Sequence, residues 1–515
     1  MLISAKYLTL PASRTASLKH VCLYDGERLV FDFKCKIDLL EPTFCAYVDV
    51  SAFIGKELRM TVSPHMDCTP NFVNDMDIPD LYKESLRPQI HFTVKNGWNN
   101  DPNGLIYANG VYHMFYQYNP AAPEWENMHW GHAVSTDLVH WEEKDIALFP
   151  DEYGTMYSGS AFTDTENATG LGKDAMLLFY TAAGSNNKLS SGKRFTQCLA
   201  YSTDGGCTFT KYASNPIIPH IEAQNRDPKV VYASELNKYV MAIYLAYHRY
   251  ELFTSDNLTD WKHYDYVTFE TDAECPDLFP LECEGERLWV LMGALDCYKI
   301  CRFTDTGIEI VNEEKRLTHL RMSYAAQSFS GIPDGRIVRI AWHIAGIPAR
   351  NFTSQMGFPT EMHLKKENGT YYLHSLPVKE IGLLYENTEK AKDITLNEAL
   401  ALETGKKPVH LKLCAKYVEG KRLTVNLLGT PVLCDMAANE IRCKNARLPL
   451  SLNKDKLELE IISDRCSVEI FADGGRYCAA VASIADHNLP RITLEANEAL
   501  TVDNLECHTL KSIHE

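Results

Sequence analysis

The chain is 515 residues long, room for about three domains at ~150 residues each, and its 45% apolar and 23% charged residues describe a folded globular protein rather than a disordered one. The longest unbroken apolar and aromatic run, residues 239–247, falls far short of the ~20 residues that a membrane-spanning helix needs. A net charge of −17 at pH 7, with no basic stripe, argues against nucleic acid as a partner because such a surface repels phosphate, while a neutral ligand is indifferent to that field.

Taken in chain order, residues 1–20 mix Lys6, Arg14 and Lys19 with Thr, Ser and Pro and hold no apolar core ahead of a cleavage site. The expectation is a cytoplasmic chain without a secretory signal. Its 16 cysteines are scattered; Cys297 and Cys301 are close, but no second pair follows with zinc-ligand spacing, so they read as reduced, mostly buried thiols. Alternating segments at 29–33 and 46–50 predict strands in the first 85 residues, which end in the polar, Asp-rich stretch 71–80. Next, 105–107 and 111–118 flank Asn109-Gly110 and read as a hairpin, since Asn-Gly tolerates the positive φ of a tight turn. The same chemistry recurs at Asp204-Gly205, Asp334-Gly335, Asn368-Gly369 and Asp473-Gly474 with almost no long amphipathic helix between, which makes the fold all-β.

A weak repeat runs through the middle. Ser135-Thr136-Asp137 leads to Trp141, Ser202-Thr203-Asp204 to Phe209, and Thr254-Ser255-Asp256 to Trp261. Each unit reads as a turn closed by Asp with an aromatic at the start of the next strand, and a recurrence near 50 residues predicts propeller blades. Residues 377–385 have helix-like apolar spacing and form a linker; strands resume at 457–462 and 467–471, for which a β-sandwich is the natural closure.

Three acidic segments carry the candidate chemistry: Trp98-Asn99-Asn100-Asp101-Pro102-Asn103-Gly104, Asn225-Arg226-Asp227-Pro228 and Glu274-Cys275-Pro276-Asp277. Pro102 turns Asp101 away from helical conformation and Gly104 permits a turn, so a carboxylate is presented from non-helical backbone among amides. Singly, Asp-Pro is an ordinary turn dipeptide. Aromatics from Trp98 to Trp130 add the stacking faces that a sugar's C–H surface needs. His129 and His132 lie three apart, on opposite faces of a strand, and so do not share a metal ion. Ser158-Gly159-Ser160 lacks the flanks of a hydrolase nucleophile elbow.

Together these segments resemble glycoside hydrolase family 32, the invertases, levanases and inulinases. The family's sucrose-binding box resembles 98–104, its Arg-Asp-Pro motif 226–228 and its Glu-Cys motif Glu274-Cys275; similarity extends to Tyr116-Gln117-Tyr118-Asn119-Pro120 and Tyr157-Ser158-Gly159-Ser160. The resemblance implies a five-bladed β-propeller at 86–376, a linker helix and C-terminal β-sandwich at 377–515, and a small accessory β-domain at 1–85. It implies Asp101 as nucleophile, Glu274 as general acid/base and Asp227 as transition-state stabiliser, with Asn100, Gln117, Trp125, Tyr157, Ser158, Arg226 and Trp342 around the fructosyl unit. The partner is then a sugar, sucrose or a fructan, with no cofactor and no metal; a homodimer through the sandwich is compatible with this plan. Met322 and Thr360 depart from the family pattern, and neither departure removes a proposed catalytic group. A fructosyltransferase, or a silent fructan-binding protein on the same scaffold, would share these motifs.

Overall fold

The computed structural model describes all residues except 321, 452, 453, 487, 488 and 490. Among the described residues the regular elements are strands apart from two short 3-10 helices, Ser51–Phe53 and Lys379–Leu384, and no helix among them is long and apolar enough to cross a membrane. At the N-terminus two three-stranded sheets face each other. One runs Phe44–Asp49, Tyr7–Ala12, Asn71–Val73, the other Arg28–Cys35, Lys19–Asp25, Arg59–Ser63, with Leu8, Leu10, Val21, Phe31 and Phe33 buried between them. The polar stretch expected only to end this region supplies a strand of it, Asn71–Val73, paired with Tyr7–Thr9.

Five sheets then follow around a channel. Their innermost strands, in chain order, are Gly97–Ala108, Thr155–Asp164, Arg226–Ala233, Asp277–Cys283 and Ser323–Ser328. Each touches the next, and the fifth returns to the first, so the ring closes as a five-bladed propeller. Closure is sealed by Phe352–Thr353, which pairs in parallel with Gly97 and Trp98. The strand that follows the innermost one lies between neighbouring blades, and burial on both faces explains its apolar composition: every residue of Ala175–Ala183 is buried. The run at 239–247 lies almost wholly in the same position in the third blade, Lys238–Ala246.

The repeat marks the connection from the third to the fourth strand of successive blades. Asp137 accepts the backbone N–H groups of Val139 and His140, and Asp204 those of Cys207 and Thr208. In the third blade the register is one residue later than the sequence suggests. Asn257, not Asp256, binds Ser255 Oγ and caps Thr259 and Asp260, whereas Asp256 pairs with Lys238. An amide oxygen accepts those N–H groups as well as a carboxylate does, which is why the pattern reads past it.

The expected linker helix is the single 3-10 segment Lys379–Leu384, which buries Ile381 and Leu384. Beyond it lie two six-stranded sheets packed as a sandwich, with Leu411, Val425, Ile461, Ile470 and Leu494 among the residues between them. The Asn109-Gly110 and Asn368-Gly369 turns take positive φ at both residues, as hairpins of this hand require. All 16 cysteines are free thiols.

The seam between propeller and sandwich is closed by a buried histidine. His91 binds Asp464 at 2.8 Å through Nδ1 and Glu469 at 2.6 Å through Nε2. Asp464 also accepts the backbone N–H groups of Gln89 and Ile90. Burial works against the His91 cation, but the two carboxylates outweigh it and push its pKa up to about 9, while both carboxyls are held below their ordinary values. His343 lies near Glu469, so His91, His343 and Glu469 cluster closely enough to suggest a metal; the two hydrogen bonds of His91 instead describe an imidazolium between anions. A histidine with a raised pKa stabilises fully below its unfolded pKa, and that contribution disappears as pH climbs through about 9. His91→Leu should therefore cost about 3–5 kcal/mol near neutral pH by leaving Asp464 and Glu469 buried without their cation. The apparent unfolding midpoint of the wild type should fall between pH 7 and pH 10 more steeply than that of the variant; parallel profiles would contradict this account.

Candidate active site

The innermost strands all begin at the same end of the channel, and the three acidic segments meet there. Asp101 lies in the first innermost strand, at a bulge where the register to Val111–Asn119 slips between Asn99 and Pro102. Gly104, expected in a turn, sits instead inside the strand at φ +53°, where an added Cβ would come within 2.8 Å of the Phe115 ring. The bulge, not a turn, aims the Asp101 carboxylate. Ser158, from the second innermost strand, donates to Asp101 Oδ2 at 2.8 Å, and the Asn100 amide approaches Oδ1 at 3.3 Å. Asn100 is itself fixed by the Trp98 indole N–H at 2.9 Å.

Asp227 opens the third innermost strand with φ +66°, and Glu274 and Cys275, just before the fourth, take φ +63° and +39°. Non-glycine residues in this region are costly, and three of them at one end of a channel mark a place where surrounding structure imposes the conformation. The constraints are visible. Thr181 Oγ accepts the Asp227 N–H at 2.9 Å, and Tyr250 OH donates to the Glu274 carbonyl at 3.0 Å. The Cys275 N–H donates to Asp227 Oδ2 at 3.0 Å, while its thiol lies 3.5 Å from Asp227 and 3.5 Å from Asp101.

Arg226 joins two of the acids. Its Nη2 donates to Glu274 Oε1 at 2.8 Å, its Nε stands 3.6 Å from Asp227, and its guanidinium lies over the Tyr244 ring. Tyr324, at the start of the fifth blade, donates to the other oxygen of Glu274 at 2.9 Å. Glu274 thus accepts on both oxygens and stays partly exposed, as does Asp101, while Asp227 is buried.

Electrostatics follow from this packing. Burial raises the pKa of Asp101, with Glu274 adding repulsion and Ser158, Cys275 and Asn100 pulling the other way through hydrogen bonds. Burial pushes Asp227 up to about 7 against the pull of Arg226 and the Cys275 amide. Arg226 favours the Asp227 carboxylate, but desolvation outweighs it. The Cys275 thiol is driven well above its ordinary range by burial and the surrounding carboxylates, so it remains a neutral donor.

The remaining expected residues form the wall. Gln117 is buried on the second strand of the first blade beside the Asp101 bulge, with its Nε2 unpartnered among the described residues. Trp342 packs edge-on to Trp98, with ring centroids 5.7 Å apart, and donates to Ser354 Oγ. Tyr157 lies against Trp125 at 6.2 Å, and Trp125 is 47% exposed, an aromatic serving no core. Met322 is elsewhere, in the apolar seam with Ile347, Phe352 and Cys466. Sequence inspection missed Tyr324, Thr181, Tyr244 and Tyr250. Tyr324 begins the fifth innermost strand, near the mouth that Asp227 reaches in the third, a correspondence visible only once the blades are in register.

Residues 91–375 match the family model described as the glycosyl hydrolases family 32 N-terminal domain, and residues 433–509 match the glycosyl hydrolases family 32 C terminal model. The levanase of Bacillus subtilis (strain 168) is 36% identical over 363 residues, 64% of this chain and 52% of the levanase. The extracellular exo-inulinase of Aspergillus awamori is 34% identical over 338 residues, 55% of this chain and 63% of the relative. The chain thus spans between about half and two thirds of the length of these curated relatives. Among solved structures, exo-inulinase from Aspergillus awamori superposes with a TM-score of 0.75 at 27% identity, covering 84% of this chain and 99% of that one. Fructan 1-exohydrolase IIa from Cichorium intybus shares the fold, with a TM-score of 0.71 at 20% identity over 83% of this chain and 98% of its own.

Proposed function

This chain belongs to glycosyl hydrolase family 32, and we propose that it is a retaining β-fructofuranosidase that removes terminal β-D-fructosyl residues from sucrose or fructans. The observation that carries this reading is the convergence of Asp101, Asp227 and Glu274 on Arg226 and Cys275 at one mouth of the channel. The names of its relatives support the substrate class: levanase, exo-inulinase and, over a shorter match, the invertase of Schizosaccharomyces pombe.

The residues divide the work as the chemistry requires. Asp101, ionised and aligned by Ser158, attacks the anomeric carbon while the glycosidic oxygen leaves with a proton from Glu274. A covalent fructosyl ester on Asp101 results. Glu274, now ionised, takes a proton from water as the water attacks the same carbon, which releases fructose and restores Asp101. The hydrogen bonds that Glu274 accepts from Arg226 and Tyr324 fit this second, basic role. In the transition state of each step the ring carries oxocarbenium character, and Asp227, buried and close to Arg226, accepts from ring hydroxyls that become more acidic as that charge develops. Gln117 and Asn100 offer amide groups to the same hydroxyls, and Trp98 and Trp342 offer faces to the C–H surface.

Asp101→Asn should keep the fold and lower kcat on sucrose by several orders of magnitude, read by release of reducing sugar; turnover near that of the wild type would sink the nucleophile assignment. A chromatographic time course on sucrose and on inulin-type and levan-type oligosaccharides should show fructose as the early product, with chains shortening one unit at a time. Early longer products would favour transfer or internal cleavage. Glu274→Gln should impair alkyl and sugar leaving groups far more than activated aryl fructosides, because only the former need the proton; equal losses would argue against the acid role. Ser158→Ala removes a hydrogen bond that stabilises ionised Asp101, so the acid limb of kcat/KM should move up by about 1 pH unit. An unmoved limb would mean that another group sets it.

A further inference from the structure

We infer that the N-terminal sheet pair is the positioning device of the channel mouth: it holds from behind the two segments that carry Trp125 and Asn186, and so sets how the sugar next to the terminal fructose is gripped. The inference deepens the fructosidase reading and rests on it for its substrate arm. The sheet pair lies ahead of the matched family segment, which begins at residue 91.

The first segment, residues 120–128, bears the exposed Trp125. Its neighbour Asn127 takes φ +50° and turns its side-chain amide onto the strand Arg28–Cys35. The Lys34 N–H donates to Asn127 Oδ1 at 2.7 Å, and Asn127 Nδ2 donates to the Lys34 carbonyl at 2.8 Å, so one side chain completes a strand edge as a backbone would. Charges reinforce the clasp on both sides of Trp125: Lys36 meets Glu124 at 2.7 Å and Lys34 meets Glu126 at 3.0 Å. Arg14 donates to the carbonyls of Pro123 and Ala349, and Ala121 and Ala122 enter the apolar core of the sheet pair. Trp125 itself contributes to none of these contacts. The segment is anchored everywhere except at the aromatic it presents.

The second segment, residues 184–191, is held by one buried carboxylate. Asp32 accepts the N–H groups of Lys188 at 2.9 Å and Leu189 at 3.2 Å, and it is oriented by His20 at 2.7 Å. This fixes the loop whose Asn186 amide reaches the Tyr157 hydroxyl at 3.4 Å. Tyr157 is the contact between the two segments, since its ring also meets Trp125, and it directly precedes Ser158, whose hydroxyl donates to Asp101. Two independent anchors from one small sheet pair therefore end on a single aromatic pair at the mouth. The resemblance puts both residues around the fructosyl unit; Trp125, exposed beside Tyr157, in addition leaves a face free on which the ring of the sugar that follows would stack.

The test pairs two substrates with the full-length protein. Asp32→Ala frees the second segment; Asn127→Gly frees the first while keeping a residue that tolerates φ +50°. For an inulin-type trisaccharide, KM should rise at least fivefold in each variant with kcat within twofold. For methyl β-D-fructofuranoside, whose leaving group has no ring to stack, kcat/KM should stay within twofold. A folded variant with an unchanged trisaccharide KM, or equal losses on both substrates, would overturn the inference. If Asp32→Ala does not fold, Asn127→Gly alone decides. Hydrogen exchange supplies a readout independent of turnover: backbone amides at 121–127 should exchange at least tenfold faster in Asn127→Gly, and those at 184–191 in Asp32→Ala. Should the wild type cleave neither sugar, the fructosidase reading fails, and unchanged exchange would separately overturn the positioning role.

Discussion

Two carboxylates that share one buried thiol dominate the architecture. Asp101 and Asp227 both approach Cys275 Sγ, and burial pushes both toward the neutral form. Such an arrangement costs free energy unless donors are fixed in advance, because a flexible surround would relax and let water or a proton neutralise the charge. The donors here are fixed: a serine hydroxyl on one blade, a backbone N–H and thiol before another, and an arginine shared with Glu274. Three of the residues involved hold left-handed backbone, which only an over-determined frame sustains. The closed ring of innermost strands is that frame. Propeller closure is thus the condition for the electrostatics as well as the reason for the shape.

How much of this was legible depends on the range over which each feature is encoded. Asp101, Asp227 and Glu274 lie in short polar segments that interrupt apolar strands, and hairpin turns such as Asn109-Gly110 announce their φ values locally. The role of Tyr324 was not legible, because its partner is not in its own stretch of sequence; it comes from the start of the fifth blade meeting Glu274, 50 residues earlier. The slip from Asp256 to Asn257 has a similar origin, since the capping oxygen is chosen by the turn's geometry and not by residue type. Gly104 misled in the opposite direction: its left-handed φ was foreseeable, but the choice of bulge over turn is made by Phe115 and Trp130 across the strand.

The seam at His91 couples the two large units by the same logic applied to stability instead of catalysis. A cation is buried between two anions, with backbone N–H groups completing the shell of Asp464. Desolvation consumes much of the Coulomb gain of such a triad. Its place in the chain links it to the ring. His91 lies ten residues before Asp101, and Phe358, whose N–H binds Glu469, follows the Phe352–Thr353 strand that closes the ring. The sandwich in this way grips both ends of the propeller's closure.

The N-terminal sheet pair completes a division of labour by distance from the reacting carbon. The three acids that act at the anomeric centre come from the innermost strands or from the residues that lead directly into them, where the ring permits least movement. Groups farther out, on connections between strands, have no such frame of their own and need an external one. Asp32 reaches across 156 residues of sequence to Lys188, and Lys34 across 93 to Asn127. Contacts of that separation are costly to close in folding, and their retention at the back of two connecting segments is intelligible if those segments must stay in place. The chemistry of bond cleavage then belongs to the propeller, while the fit of whatever follows the terminal sugar belongs to the surface that steadies Trp125 and Tyr157 from behind.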